Sequence, residues 1–167
     1  MCDWMLQNAK NKNQIFHIDA NVLLNFYLDD DPDQHNTAQS LFNRSNTGDI
    51  NIKINTFALG EVHQNIIKKY NYEYDKIAKL NNLFDNGKLE AFELKNITID
   101  ALTEEIKKLK DIDSYMSIGD ILNIAIFLLD TEAKFFVTFD TGLNNKKIVS
   151  YLKESGKNIY LLDATER

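Results

Sequence analysis

Two segments of this chain share one pattern: Ile15-Phe-His-Ile-Asp19 and Phe135-Phe-Val-Thr-Phe-Asp140. Each is a short apolar run ending in an aspartate, with a turn or helix signal just beyond. Near-continuous hydrophobic runs of this kind are the mark of buried parallel strands. In open α/β sheets, ligands bind outside the carboxyl ends of such strands, so both acids would face one crevice. Two carboxylates brought together there need protons, partners or a metal ion to be tolerated. A metal site is the leading expectation.

Two further acids belong to the same constellation. Glu61 falls early in an amphipathic helix, and Asp120 heads an apolar helical run. Each of the four also has a plain structural reading. Asp19 and Asp140 could cap the segments that follow them. Asp120 closes Ser117-Ile-Gly-Asp120, a capping box, and Glu61 meets the positive end of its helix dipole. Taken together, two acids at strand ends and two near helix starts can converge at one sheet edge. Oxygen ligands without cysteine, and with little histidine, favour Mg²⁺ or Mn²⁺ over zinc.

The elements that would position these acids alternate along the chain. Strands are predicted over 15–19, 50–54, 89–94, 134–139 and 158–162. Helices are predicted over 21–28, 34–46, 98–110, 120–129 and 145–153. A single long helix is expected from Phe57, with Val62, Ile66, Tyr70, Tyr74, Ile77 and Leu80 at spacings of three and four. Alternating strands and helices imply an α/β class: a three-layer α/β/α sandwich around a mainly parallel sheet of about five strands. Residues 1–14 are polar and expected to be peripheral, with 15–167 forming one domain.

Composition narrows the partners. The chain has 167 residues, one cysteine and a net charge of −6. Cys2 alone cannot form an intramolecular disulfide or a cysteine zinc site. No stretch approaches the ~18 consecutive apolar residues of a membrane span. The first residues lack the pattern of a secretory signal, so a cytoplasmic location is expected. Acidity weakens a nucleic-acid reading, but Asp29-Asp30-Asp31-Pro32-Asp33 and the four acids concentrate that charge locally. Basic residues cluster at Lys146 and Lys147 just beyond Asp140, at Lys68 and Lys69, and at Lys107, Lys108 and Lys110, and such clusters are most often solvated helix faces. His17, His35 and His63 read as structural, because no second histidine sits at ligand spacing.

At these residues the chain resembles the PIN-domain family. His17-Ile-Asp19-Ala-Asn21-Val-Leu-Leu is similar to its first motif, and Gly60-Glu61-Val to the second. Gly119-Asp120-Ile-Leu-Asn-Ile-Ala-Ile is similar to the third, and Val137-Thr-Phe-Asp140 to the closing Thr-x-Asp motif. Ala20 departs from the small hydroxyl residue common between the first acid and the asparagine. Asn123 stands where some relatives carry a further acid.

The resemblance implies a nuclease cutting RNA, with Asp19, Glu61, Asp120 and Asp140 holding Mg²⁺ or Mn²⁺, and with RNA contacts from Lys146 and Lys147 first, then from Lys68, Lys69, Lys107, Lys108 and Lys110. It also implies that Asn21 and Thr138 orient those carboxylates, and that the products carry a 5′-phosphate and a 3′-hydroxyl. Many stand-alone members are toxins restrained by an antitoxin, which makes an antitoxin protein a candidate partner; RNA processing fits the same chemistry. A homodimer is expected on the same basis. Two rivals remain. A non-catalytic RNA-binding or scaffold module would keep the fold alone. A haloacid dehalogenase-like phosphatase needs a second acid where this chain has Asn21.

Overall fold

A computed structural model describes residues 14–28, 30–70 and 74–162. The expectation for residues 1–14 lies almost wholly outside them. Five strands form one all-parallel sheet: β1 (Gln14–Ile18), β2 (Ile50–Asn55), β3 (Glu90–Phe92), β4 (Phe135–Thr138) and β5 (Asn158–Leu161), in the order β3-β2-β1-β4-β5. From β1 the chain winds outward through β2 to β3, then returns to β1's other side for β4 and β5. The order reverses between β1 and β4, so their carboxyl ends flank the switch-point crevice.

Seven α-helices are described: α1 (Ala20–Tyr27), α2 (Pro32–Asn46), α3 (Thr56–Tyr70), α4 (Tyr74–Asp85), α5 (Ile99–Ile112), α6 (Ile118–Leu129) and α7 (Lys146–Glu154). Strand alternation sends side chains to opposite faces, and two apolar clusters result. Phe16 and Ile18, with Ile52 and Ile54, pack under Leu23, Phe42, Val62, Ile66 and Leu80 of α1 to α4. Phe136 on the other face packs with Leu109, Ile124, Phe127, Ile148 and Leu152 of α5, α6 and α7. The three-layer α/β/α expectation therefore holds.

Over the stretch that reads as a single helix from Phe57 to Leu80, the described residues are helical as α3 and α4, and residues 71–73 between them lie outside the described residues. The spacing persists because Val62 and Ile66 of α3 and Leu80 of α4 face the same apolar cluster.

Helix α6 carries Asp120 at one end and is anchored at the other by buried charge. Asp130, its C-cap, accepts a hydrogen bond from His17 Nε2 at 2.7 Å and lies 3.9 Å from Lys53 Nζ. His17 and Lys53 are register partners on β1 and β2, both buried. Burial holds His17 below its ordinary range, so the ring is neutral and donates through Nε2. His17's hydrogen bond, with the Glu132 N–H and the charge of Lys53, holds the Asp130 carboxyl below the usual carboxylate range despite its burial. Lys157 reaches in from beyond α7 to the carbonyls of Asp130 and Ala133.

Removing the acid would leave the buried His17 ring and the Glu132 and Ala133 N–H groups without their acceptor, while Lys53 keeps its pair with Glu132 at 2.6 Å. Asp130→Ala is expected to lower the unfolding free energy by about 3 kcal/mol, measured by urea denaturation.

Candidate metal centre at the sheet's carboxyl edge

Asp19 follows β1 directly and caps α1, its Oδ1 accepting from the Ala20 N–H at 2.7 Å. The capping role and the candidate site role therefore coincide in one residue. Its N–H extends the β1–β4 ladder to Val137 O at 2.9 Å. Because Ile18 pairs with Val137, the next residues, Asp19 and Thr138, stand side by side. Thr138 Oγ1 donates to Asp19 Oδ2 at 2.8 Å, and Asn21 Nδ2 donates to the same oxygen at 2.8 Å. Asn21 is locked in turn, since its Oδ1 accepts from the Phe139 N–H at 3.1 Å. Asn21 and Thr138 thus both hold the same oxygen of Asp19.

Asp19 is 6% exposed. Burial pushes its carboxyl up to about 6, against the pull of the Thr138 and Ala20 hydrogen bonds, and the charges of Asp120 and Glu61 push the same way. Both of those acids are therefore within electrostatic reach.

Glu61 comes from the second turn of α3. Its Oε2 accepts from Asn123 Nδ2 at 3.3 Å, and the same amide nitrogen lies 3.4 Å from Asp19 Oδ1. Asn123 sits one turn into α6, almost wholly buried, and joins the two carboxylates. Gly119 makes room for Glu61: a Cβ there would lie 3.0 Å from Glu61 Oε1.

Asp120 and Asp140 are held by their own turns. The Asp120 N–H donates to Ser117 Oγ at 3.1 Å, one half of the predicted capping box, and Asp120 Oδ2 accepts from the Ser117 hydroxyl at 2.6 Å rather than from its backbone N–H. Asp140 Oδ1 accepts from the Gly142 N–H at 2.7 Å across a 3₁₀ turn, Thr141–Asn144. The Asp140 N–H is received by Thr138 Oγ1 at 2.9 Å, which ties the end of β4 to the Asp19 cluster.

Asp19 and Glu61 are thus joined through Asn123, with Asp120 close enough to influence Asp19 and Asp140 linked through Thr138. Among the described residues, no three acids, histidines or cysteines stand close enough together to hold a metal ion in this arrangement. The donors are all oxygens, which suits a hard divalent cation.

Of the basic candidates, Lys146 and Lys147 are exposed at the start of α7, just past the turn that holds Asp140. Lys68 and Lys69 close α3, roughly 10 Å along the helix axis from Glu61. Lys69 pairs with Asp30. Lys108 pairs with Glu104 and Glu105, and Lys110 donates to the carbonyls of Ser114 and Met116. His35 and His63 bond to backbone carbonyls of Asn25 and Leu59. The sequence marks Asn123 only as standing where some relatives carry a further acid, and it gives Asn55 no role; an asparagine at the end of a strand, just before a helix, is the one signal that could have found Asn55.

A parallel sheet ordered 3-2-1-4-5, with acids gathered at its carboxyl edge, defines a PIN-like α/β fold. The comparison with solved structures agrees. The chain is similar to the crystal structure of VapBC2 from Rickettsia felis bound to a DNA fragment from their promoter, with a TM-score of 0.63 and 14% identity. That match covers 90% of this chain and 100% of the other. At such identity the likeness is one of fold. No family model and no curated protein matches the chain. Among the described residues, no helix is long and apolar enough to cross a membrane.

Burial of Asp19 has a measurable sign. Its folded value lies above its unfolded value of 3.8, so the native state holds the proton longer. The contribution of this group to stability is complete below about pH 4 and is lost as pH rises through about 6. The carboxyl carbon resonance of Asp19 in the metal-free protein is expected to titrate with a midpoint near 6. Asp19→Asn should flatten that part of the stability profile.

Proposed function

We propose that this protein is a Mg²⁺- or Mn²⁺-dependent endoribonuclease. The observation that carries the reading is the placement of Asp19 and Glu61 about one buried amide, within electrostatic reach of Asp120, at the switch point between β1 and β4. Asp19, Glu61, Asp120 and Asp140 would hold the ion. When bound, such an ion lowers the pKa of its water and neutralises charge on the scissile phosphate, so that hydrolysis leaves a 5′-phosphate and a 3′-hydroxyl.

The chain's own residues prepare that chemistry. Thr138 and Asn21 fix one oxygen of Asp19, and the α1 N-terminus fixes the other. A cation in the pocket would favour the ionised form of Asp19 and oppose the burial that raises its pKa. Lys146 and Lys147, exposed just past the turn that holds Asp140, would contact the RNA backbone, and Lys68 and Lys69 would extend the basic path.

The fold shared with VapBC2 supports a place in a toxin–antitoxin pair, with an antitoxin protein covering the crevice. RNA processing would use the same site, and a homodimer and a cytoplasmic location complete the reading. A second reading, a non-catalytic RNA-binding or scaffold module, is favoured by one observation: Asp120 and Asp140 are each spent on their own turns, and no three acids among the described residues converge.

End-labelled structured and unstructured RNAs incubated with Mn²⁺, Mg²⁺ or EDTA separate the two. Metal-dependent cleavage is expected, falling by about a hundredfold or more in Asp19→Asn, as when one charge-stabilising group is removed. No cleavage by the wild type, together with no heat of Mn²⁺ binding, would leave the module reading standing.

A further inference from the structure

We propose that two buried amides, Asn55 and Asn123, form a directional relay that holds Asp19 and Glu61 together as a cation-ready pair; what the pair binds rests on the nuclease reading above. The direction of the relay follows from a single unambiguous donor. The backbone N–H of Ala58 can only donate, and it donates to the side-chain oxygen of Asn55 at 2.8 Å. That contact leaves the NH₂ group of Asn55 facing Asn123, whose Oδ1 accepts it at 3.1 Å. The NH₂ group of Asn123 must then face the acids, and it does, with 3.4 Å to Asp19 Oδ1 and 3.3 Å to Glu61 Oε2.

Both asparagines are buried, at 0% and 2% exposure, so neither amide can trade its partner for bulk water. An NH₂ group carries two donor hydrogens, one for each carboxylate. The relay also closes a ring through the fold. Asn55 ends β2 and caps α3, α3 carries Glu61, and Glu61 meets the Asn123 of α6. Turning either helix breaks a link.

The chemistry of the central group is selective. A lysine or arginine at position 123 would pair the carboxylates with its own charge and compete with a divalent ion. An aspartate would bring a third negative charge and no donor hydrogen when ionised. A neutral donor fixed in direction opposes the mutual repulsion of Asp19 and Glu61 while leaving their charge uncancelled. Asn123 is thus a positioning residue, and Asn55 sets the way it points.

The test uses the full chain with Asn55→Ser and Asn123→Leu. Serine keeps a capping oxygen for Ala58 without adding charge, but it is too short to reach Asn123. Its unfolding midpoint should fall, because the buried Asn123 Oδ1 loses its donor, while unfolding stays a single cooperative transition. Calorimetric Mn²⁺ titration is expected to show affinity reduced about tenfold or more in Asn55→Ser, the scale of groups that orient metal ligands. In the metal-free protein, the side-chain amide signal lost in Asn123→Leu identifies Asn123. Its hydrogens should exchange slowly in the wild type and quickly in Asn55→Ser. Wild-type affinity and slow exchange in Asn55→Ser would overturn the relay. Absence of Mn²⁺ binding by the wild type would defeat the metal reading by itself. The exchange measurement would still judge the relay, with unchanged exchange in Asn55→Ser overturning it.

Discussion

An ionisable carboxyl placed where water hardly reaches governs the arrangement of this sheet edge. Asp19 sits in the cleft between β1 and β4 and receives hydrogen bonds from a helix N–H, a hydroxyl and two amides. A buried carboxylate is tolerated only when such donors surround it. Each donor is held in its turn. Thr138 stands beside Asp19 by strand register, Asn21 is oriented by the Phe139 N–H, and Asn123 by Asn55. The donors are neutral, so they stabilise the position of the negative charge without cancelling it. That distinguishes this carboxylate from Asp130 at the far end of α6, where Lys53 lies near the acid and His17 donates to it.

The contrast between the two ends of α6 divides the molecule by purpose. At the Asp130 end, opposite charges and backbone groups balance locally, and the result is an anchor. At the Asp120 end, Asp19 and Glu61 meet across the Asn123 amide, with the charge of Asp120 bearing on Asp19, and the imbalance is kept. The same helix spans both, so the anchor sets the depth at which Asn123 and Asp120 meet the sheet edge. The pair His17 and Lys53, adjacent across β1 and β2, makes that depth a property of strand register.

Much of this was readable in the residues. The apolar runs ending at Asp19 and Asp140 mark β1 and β4 because strands buried on both faces need hydrophobic side chains on both. The capping box at Ser117 fixed the start of α6 by local chemistry alone. The apolar spacing from Phe57 to Leu80 reports which face is buried, and α3 and α4 share that face on one core. The relay was hidden for a different reason. An asparagine's partners are set by tertiary neighbours, so Asn55 and Asn123, 68 residues apart, carry no mutual signal in the chain. The self-directed caps of Asp120 and Asp140 were legible, but their coexistence with a shared crevice was not.

Strand order also bears on when the crevice comes into being during synthesis. β4 lies between β1 and β5, yet it comes late in the chain, at Phe135–Thr138. A growing chain that stops short of it has Asp19, Glu61 and Asp120 but lacks the strand that seats Thr138 beside Asp19. Without that strand, β1 is an open edge and Asp19 loses the hydroxyl and the Val137 carbonyl that hold it. The acids therefore assemble only after about four-fifths of the chain exists. Interrupted translation yields fragments without the cleft, and any activity of the cleft is confined to chains that have been completed through β4.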